Sequence, residues 1–297
     1  MITSLTTGNI ISGNVNNLIG AGNLFTTGNV FYVDSVRGSN GNVGTDPALP
    51  LASLTQAQAS ATASNGDIVV VKPGHAESIA SAGGIALSKA GVSYVGVGAN
   101  ANRPTLTFTT ATSATMTISG ANTILDNFVY TQTFDAIVSP LVISGAGVTL
   151  ASSYFMTADA TYQATQMILT TAGANNLTLS GNRFIGTANA GSTCAVTLVG
   201  GDNINISDND FIGAYTTTVG AIQCITTLTT NIVIRRNSII NRTASATKGI
   251  TLLTGSTGVI TENKFGIGSG AAPITSDAAW WAGNWSAAAV ATNGTLV

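Results

Sequence analysis

The sequence predicts an all-β solenoid, and three observations carry that prediction. A short phrase recurs at a near-constant interval, apolar residues alternate within each copy, and the chain carries little charge. The clearest copies are Asn176-Leu177-Thr178-Leu179-Ser180-Gly181-Asn182-Arg183-Phe184 and Asn203-Ile204-Asn205-Ile206-Ser207-Asp208-Asn209-Asp210-Phe211. Two more are Asn231-Ile232-Val233-Ile234-Arg235-Arg236-Asn237-Ser238-Ile239 and Gly258-Val259-Ile260-Thr261-Glu262-Asn263-Lys264-Phe265. A period of about 27 to 28 residues lies in the range of solenoids.

Each part of the phrase has a physical role. Leu177 and Leu179, Ile204 and Ile206, and Ile232 and Ile234 alternate with outward positions at the strand period of two. Leu177, Ile204, Ile232 and Val259 are therefore expected to share one inward column. Asn182, Asn209, Asn237 and Asn263 follow at a tight turn. Asparagine there tolerates a left-handed backbone and, stacked coil on coil, forms a ladder of like amides. Phe184, Phe211, Ile239 and Phe265 then point back inside. One coil cannot bury its flat face alone, so stacking creates the core.

Charged residues make up 7% of the chain and the net charge is −2, against about a quarter charged in ordinary soluble proteins. Such a surface is expected to be covered by hydroxyls and amides. The scattered basic residues form no nucleic-acid footprint. No apolar run approaches a membrane span, and Met1-Ile2-Thr3-Ser4-Leu5 has no basic region followed by an apolar stretch, so no secretory signal is expected. Cys194 and Cys224 fall in separate coils and read as buried free thiols.

In chain order, residues 1–30 read as an arm. Ile10, Ile11, Leu18 and Ile19 are too few for a core and too many for a solvated linker. Two readings stand: an irregular first coil, or an extended segment that clasps a neighbour by adding a strand. Residues 31–268 read as the solenoid, including a helix cap within 31–74. In the cap, Leu54, Ala57 and Ala61 line one side of a short amphipathic helix. Asn65-Gly66-Asp67 turns into the strand Ile68-Val69-Val70-Val71, closed by Pro73-Gly74. Fainter copies of the phrase fall at Gly91–Tyr94, Asn122–Phe128 and Gly147–Phe155. A second strand precedes each copy, for example Met116–Ile118, Leu141–Ile143 and Ile222–Cys224. About seven coils result, roughly 35 Å in height at the strand spacing. Variable stretches at 157–164, 187–192 and 243–246 project as loops. From Ser269 the repeat is expected to end, and 269–297 read as a cap over the last coil or an oligomer contact. Trp280, Trp281 and Trp285 suit the second reading, because tryptophan is favoured at buried interface anchors.

The cap region also carries a resemblance. Tyr32-Val33-Asp34, the Gly/Asn loop 38–45, Asp46-Pro47, Pro50-Leu51-Ala52-Ser53-Leu54, the Ala-rich helix and Gly66-Asp67-Ile68-Val69-Val70-Val71-Lys72-Pro73-Gly74-His75 follow in order. This series resembles the N-terminal opening of right-handed parallel β-helix proteins, a superfamily of pectate-lyase-like domains and many bacteriophage virion proteins. The resemblance, covering roughly 31–266, implies a right-handed solenoid whose open end is closed by a small helix. It is specific for fold and weak for function.

Many β-helix proteins cleave polysaccharides, so the acidic residues need weighing. Asp208 and Asp210 flank the turn residue Asn209, with Arg235 and Arg236 one coil on. A glycosidase needs two carboxyl groups about 5 to 9.5 Å apart in one groove. The plainer reading is that a turn accepts Asp as it accepts Asn, and that the arginines offset its charge. Tyr154, Phe155 and Tyr162 offer only a small aromatic platform. His75, the only histidine, lacks the partners of a zinc or nucleophile site and reads as a turn contact. Gly96-Val97-Gly98-Ala99-Asn100 lacks the residues of a phosphate loop. Asp208-Asn209-Asp210 lacks the glycine and distal glutamate of a calcium loop. No cofactor, metal or catalytic residue is expected.

The function that the resemblance implies is structural: a head decoration or cement protein, made in the host cytoplasm and placed on the capsid surface. It would act as a homotrimer bridging subunits of the major capsid protein, with neither nucleic acid nor membrane as partner. Ile10, Ile11, Leu18, Ile19, Trp280, Trp281 and Trp285 are the expected oligomer or capsid contacts. The alternative is a tailspike or fibre module that binds or cleaves host polysaccharide.

Overall fold

The structure is a computed structural model that describes residues 26–157, 162–186, 192–216, 218–224, 226–243, 245–268, 273–276, 279–288 and 295–296. The chain winds as a parallel β-helix with three sheets of ten, ten and eight strands. One turn shows the plan: Thr178–Ser180 joins sheet 1, Arg183–Ile185 joins sheet 2 and Cys194–Leu198 joins sheet 3. Each strand pairs in parallel with its counterparts on adjacent turns, as Leu179 pairs with Leu150 and Ile206. No helix among the described residues is long and apolar enough to cross a membrane.

Register turns the alternating pattern into columns. In sheet 1, Tyr94, Leu125, Leu150, Leu179, Ile206, Ile234 and Ile260 stand one above another, all buried. In sheet 2, Tyr130, Phe155, Phe184 and Phe211 stack with centroids 4.7, 4.4 and 4.6 Å apart. Such pairs add about 0.5–1.5 kcal/mol each beyond their area. Phe155 is thus part of the core and not of an outer platform with Tyr154, because only every second residue of a strand faces out.

Two further expectations are corrected. Val259 does not join Leu177, Ile204 and Ile232, since Gly258 is the residue that pairs with Ile232. A Cβ on Gly258 would lie 2.0 Å from the Ile232 carbonyl oxygen, and its φ is +143°, so the close approach requires glycine. Nor does the repeat end at Ser269. Ala279–Ala282 pairs in register with Gly258–Thr261, and Trp285–Ala288 pairs with Lys264–Ile267. The tryptophan segment is another turn of the solenoid.

The N-terminal end is closed by helix α1, Leu54–Ser60, whose first turn is capped by Ser53 Oγ accepting from Gln56 N–H. Leu54, Ala57 and Ala61 are buried in the main core, covering apolar surface that the first turn would otherwise expose. Glu77 Oε2 accepts from Leu54 N–H at 3.0 Å and lies 3.2 Å from His75 Nε2. Ser35 N–H donates to His75 Nδ1 at 3.0 Å. His75 therefore makes a buried turn contact.

Candidate functional site

The corner between sheets 1 and 2 gathers the residues singled out in the sequence. It takes two residues per turn of the solenoid, and the first carries the left-handed backbone: Gly181, Asp208, Arg236, Glu262 and Gly283, at φ of 65°, 60°, 53°, 58° and 67°. The asparagines are second, so the left-handed strain expected of them falls on their neighbours. What holds Asn182, Asn209, Asn237 and Asn263 in place is burial with complete hydrogen bonding. Asn209 Oδ1 accepts from the N–H and the Nδ2 of Asn182, at 2.9 and 3.1 Å. Asn209 Nδ2 donates to the Leu179 carbonyl at 3.0 Å and to Asn237 Oδ1 at 3.0 Å. The pattern repeats through Asn263 and continues to Asn284. At the other end, Ser153 N–H donates to Asn182 Oδ1 and Ser153 Oγ accepts from Phe128 N–H. Asn284 and Ser153 were missed in the sequence. The Gly-Asn pair at 283–284, matching 181–182, was the available signal for the first.

Outside this ladder lies an open groove of ≈ 490 Å³ lined by Asp208, Asp210, Arg236, Glu262, Lys264 and Trp285. Both of its aspartates are paired. Arg236 Nε and Nη2 clamp Asp208 in a fork, both at 2.7 Å. Those hydrogen bonds, helped by the charges of Arg236 and Arg235, hold the Asp208 carboxyl below the usual carboxylate range. Asp210 faces Arg183 of the preceding turn at 3.4 Å, a pair that the sequence alone did not reveal. Further along the same edge, burial raises the Asp126 carboxyl, opposed by Ser152 and Arg103. Asp126 and Asp208 thus differ in the sense that acid and base roles need. They stand three turns apart, about 14 Å at the strand spacing, beyond the about 5 to 9.5 Å of a glycosidase pair.

Above the groove, Arg103 lies 4.2 Å and Arg183 5.5 Å from the Tyr154 ring centroid, an arrangement of cations on an aromatic face. Trp280 and Trp285 are 63% and 52% exposed on the last turn. Trp281 is in register with Ile260. Ile10, Ile11, Leu18 and Ile19 lie outside the described residues. Cys194 and Cys224 are free and buried, and burial pushes the Cys194 thiol up to about 12, which removes it as a nucleophile. Among the described residues no group of His, Cys, Asp and Glu is placed to hold a metal ion.

The chain matches no protein-family model and no curated protein sequence. Among solved structures it is similar to a GH136 lacto-N-biosidase from Eubacterium ramulus, at 13% identity and a TM-score of 0.52. That likeness covers 87% of this chain and 56% of the biosidase, so the chain spans little more than half of that protein. A rhamnogalacturonan lyase is similar at 14% identity and a TM-score of 0.48, over 80% of this chain and 74% of the lyase. For pectate lyase Pel9A the values are 14% and 0.39, over 90% and 82%. Together with the strand topology, the likeness to the biosidase shows a parallel β-helix fold. At these identities the likeness is one of fold.

Proposed function

We propose that this is a structural protein of a bacteriophage particle, a decoration or cement protein of the head that acts as a homotrimer. The observation that carries this reading is the ion pairing in the groove: Asp208 and Asp210, the best acidic pair, are each tied to an arginine of an adjacent turn. A groove whose two aspartates are neutralised by arginines suits a passive prism that bridges capsid subunits and adds contact area where internal pressure pulls them apart. The resemblance of residues 31–75 to the opening of phage virion β-helices supports the same reading. Coil-on-coil stability is roughly additive, as a particle exposed to the environment needs. Cryo-electron microscopy of intact particles is expected to show density for this chain on the head. Density only at the tail overturns the assignment.

One observation favours a second reading, a tailspike or fibre module for host polysaccharide. The groove places the exposed Trp285 beside Asp208, Asp210 and Glu262, and an indole next to carboxylates suits a sugar ring. Incubation with capsule or lipopolysaccharide separates the readings. Shortened chains or new unsaturated ends, lost in Asp208→Asn and Asp210→Asn, would establish the second.

A further inference from the structure

The outer face of sheet 2 differs from the other two faces. By register, Met156, Ile185, Ile212 and Ile240 form one outward column over four successive turns. Ile240 is 39% exposed and the other three are partly exposed. Beside them runs a second outward column that includes Tyr154, Arg183, Asp210 and, on the last turn, Trp285. On the same four turns the corresponding positions of sheet 3 are Leu169, Thr197, Gln223 and Thr251, one of them aliphatic. Those of sheet 1 are Thr149, Thr178, Asn205 and Val233, again with one aliphatic residue. Four aliphatic side chains in an unbroken vertical row thus occur on sheet 2 alone among these columns.

We infer that sheet 2 is the self-association surface, packing lengthwise against sheet 2 of a second copy of this chain. Geometry selects the occupant. The row repeats every turn, about 4.8 Å, and an object with the same repeat meets it side chain for side chain along its length. A second copy is such an object. Composition agrees, because methionine, arginine and aromatic residues are enriched at protein interfaces. Arg183 and Asp210 are already joined within the chain at 3.4 Å, so covering them leaves neither charge alone. The remaining charge of that column, Lys264, lies near its end between Ser238 and Trp285. Area agrees too. Ten strands at about 4.8 Å and four residues at about 3.3 Å give a face of roughly 600 Å². A stable interface needs about 800 Å² per partner, and the flanking corners supply the difference. A face packed on the same face of one other copy is a two-fold contact that makes a dimer, so this inference stands apart from the proposed homotrimer. Its test needs no virus particle, and either can fail without the other.

The test is sedimentation equilibrium of the full chain. Wild type is expected to be an oligomer at micromolar concentration. Ile240→Glu is expected to weaken its association at least a hundredfold, with the circular dichroism and melting temperature of a folded solenoid. Thr251→Glu, outward on sheet 3, is expected to leave association unchanged. Should Ile240→Glu not fold, a milder pair decides: Ser238→Cys joined by a short bis-maleimide gives a covalent dimer, and Thr251→Cys does not. A monomeric wild type, a folded Ile240→Glu that associates normally, or equal cross-linking of the two cysteine variants overturns the inference.

Discussion

Sheet 1 is bounded by two corners, both marked by asparagine, and the residue serves a different physical end at each. At the corner with sheet 2, Asn182, Asn209, Asn237, Asn263 and Asn284 are buried and bond to one another and to backbone carbonyls. At the corner with sheet 3, Asn122, Asn176, Asn203 and Asn231 are exposed and hold left-handed backbones, at φ of 54°, 55°, 57° and 52°. Glycine takes the same place on other turns, as Gly91 and Gly147 do at φ of 69° and 70°. At the buried corner the amide is fully bonded to its neighbours and the backbone is ordinary. At the exposed corner the left-handed backbone comes first and the amides bond only in part, Asn203 Nδ2 to Asn176 Oδ1 and Asn231 Nδ2 to Asp202 Oδ1, both at 2.8 Å. Where the amide matters, the residue before it varies freely among Gly, Asp, Arg and Glu. The contrast shows that a column of asparagines in a solenoid can be held by burial of its amides or by the backbone its residues tolerate, with cross-turn amide bonds in both cases.

The sharpest way to break this contrast is Asn237→Ala. It removes the acceptor for Asn209 N–H and Nδ2, both at 3.0 Å, and the donor to the Ile206 carbonyl at 2.9 Å. Each buried group left without a partner costs about 1–3 kcal/mol, so urea unfolding is expected to show a loss of about 3 kcal/mol in total. A loss below about 1 kcal/mol would erase the distinction. At the other corner, Asn203→Ala is expected to cost about 1–2 kcal/mol for a left-handed alanine. Asn203→Gly keeps the left-handed backbone, which glycine enters freely, and loses only the exposed bond to Asn176 Oδ1, so by the same assay it should cost less than Asn203→Ala. If Asn203→Gly is as damaging as Asn237→Ala, the exposed amides hold the fold as strongly as the buried ones.

The smallest effect concerns the groove outside the buried ladder. Because the folded-state pKa of Asp208 is depressed, its contribution to stability is present above the ordinary carboxylate pKa. It is lost as pH falls through the lower folded value. The pair is exposed, so this contribution is small. Carboxyl carbon NMR is expected to show Asp208 titrating below a typical aspartate, and Arg236→Ala should return it toward the ordinary range. An unchanged midpoint in that variant would mean that Arg236 does not set the proton affinity.

The features legible in the sequence were those that repeat with the strand period or the turn spacing. The stacked phenylalanines, the buried asparagine column and the cap helix under Leu54, Ala57 and Ala61 all show as residue types at fixed intervals. What escaped had a broken interval or depended on pairs across turns. The ladder steps by 27, 28 and 26 residues and then by 21. The final turn, whose Trp281 pairs in register with Ile260, therefore read as a separate segment. Counting the fourth copy from its first apolar residue placed Val259 one position out, whereas counting back from Asn263 puts Gly258 in the column. The left-handed residue was assigned to asparagine because propensity favours it, while burial and hydrogen bonding had the larger claim on that side chain. Arg183 with Asp210 and Arg103 on Tyr154 join residues that only the wound chain brings together.

At its far end, sheet 2 finishes differently from how it is built. Thr295–Leu296 lies antiparallel on Trp285–Ala288, where every earlier neighbour is parallel. A strand running the wrong way cannot serve as the template for another turn, so it acts as a terminator for that sheet. Edges of this kind invite other chains to pair with them. With Thr295–Leu296 folded back over part of it, that edge of sheet 2 is shielded from end-to-end pairing with another copy.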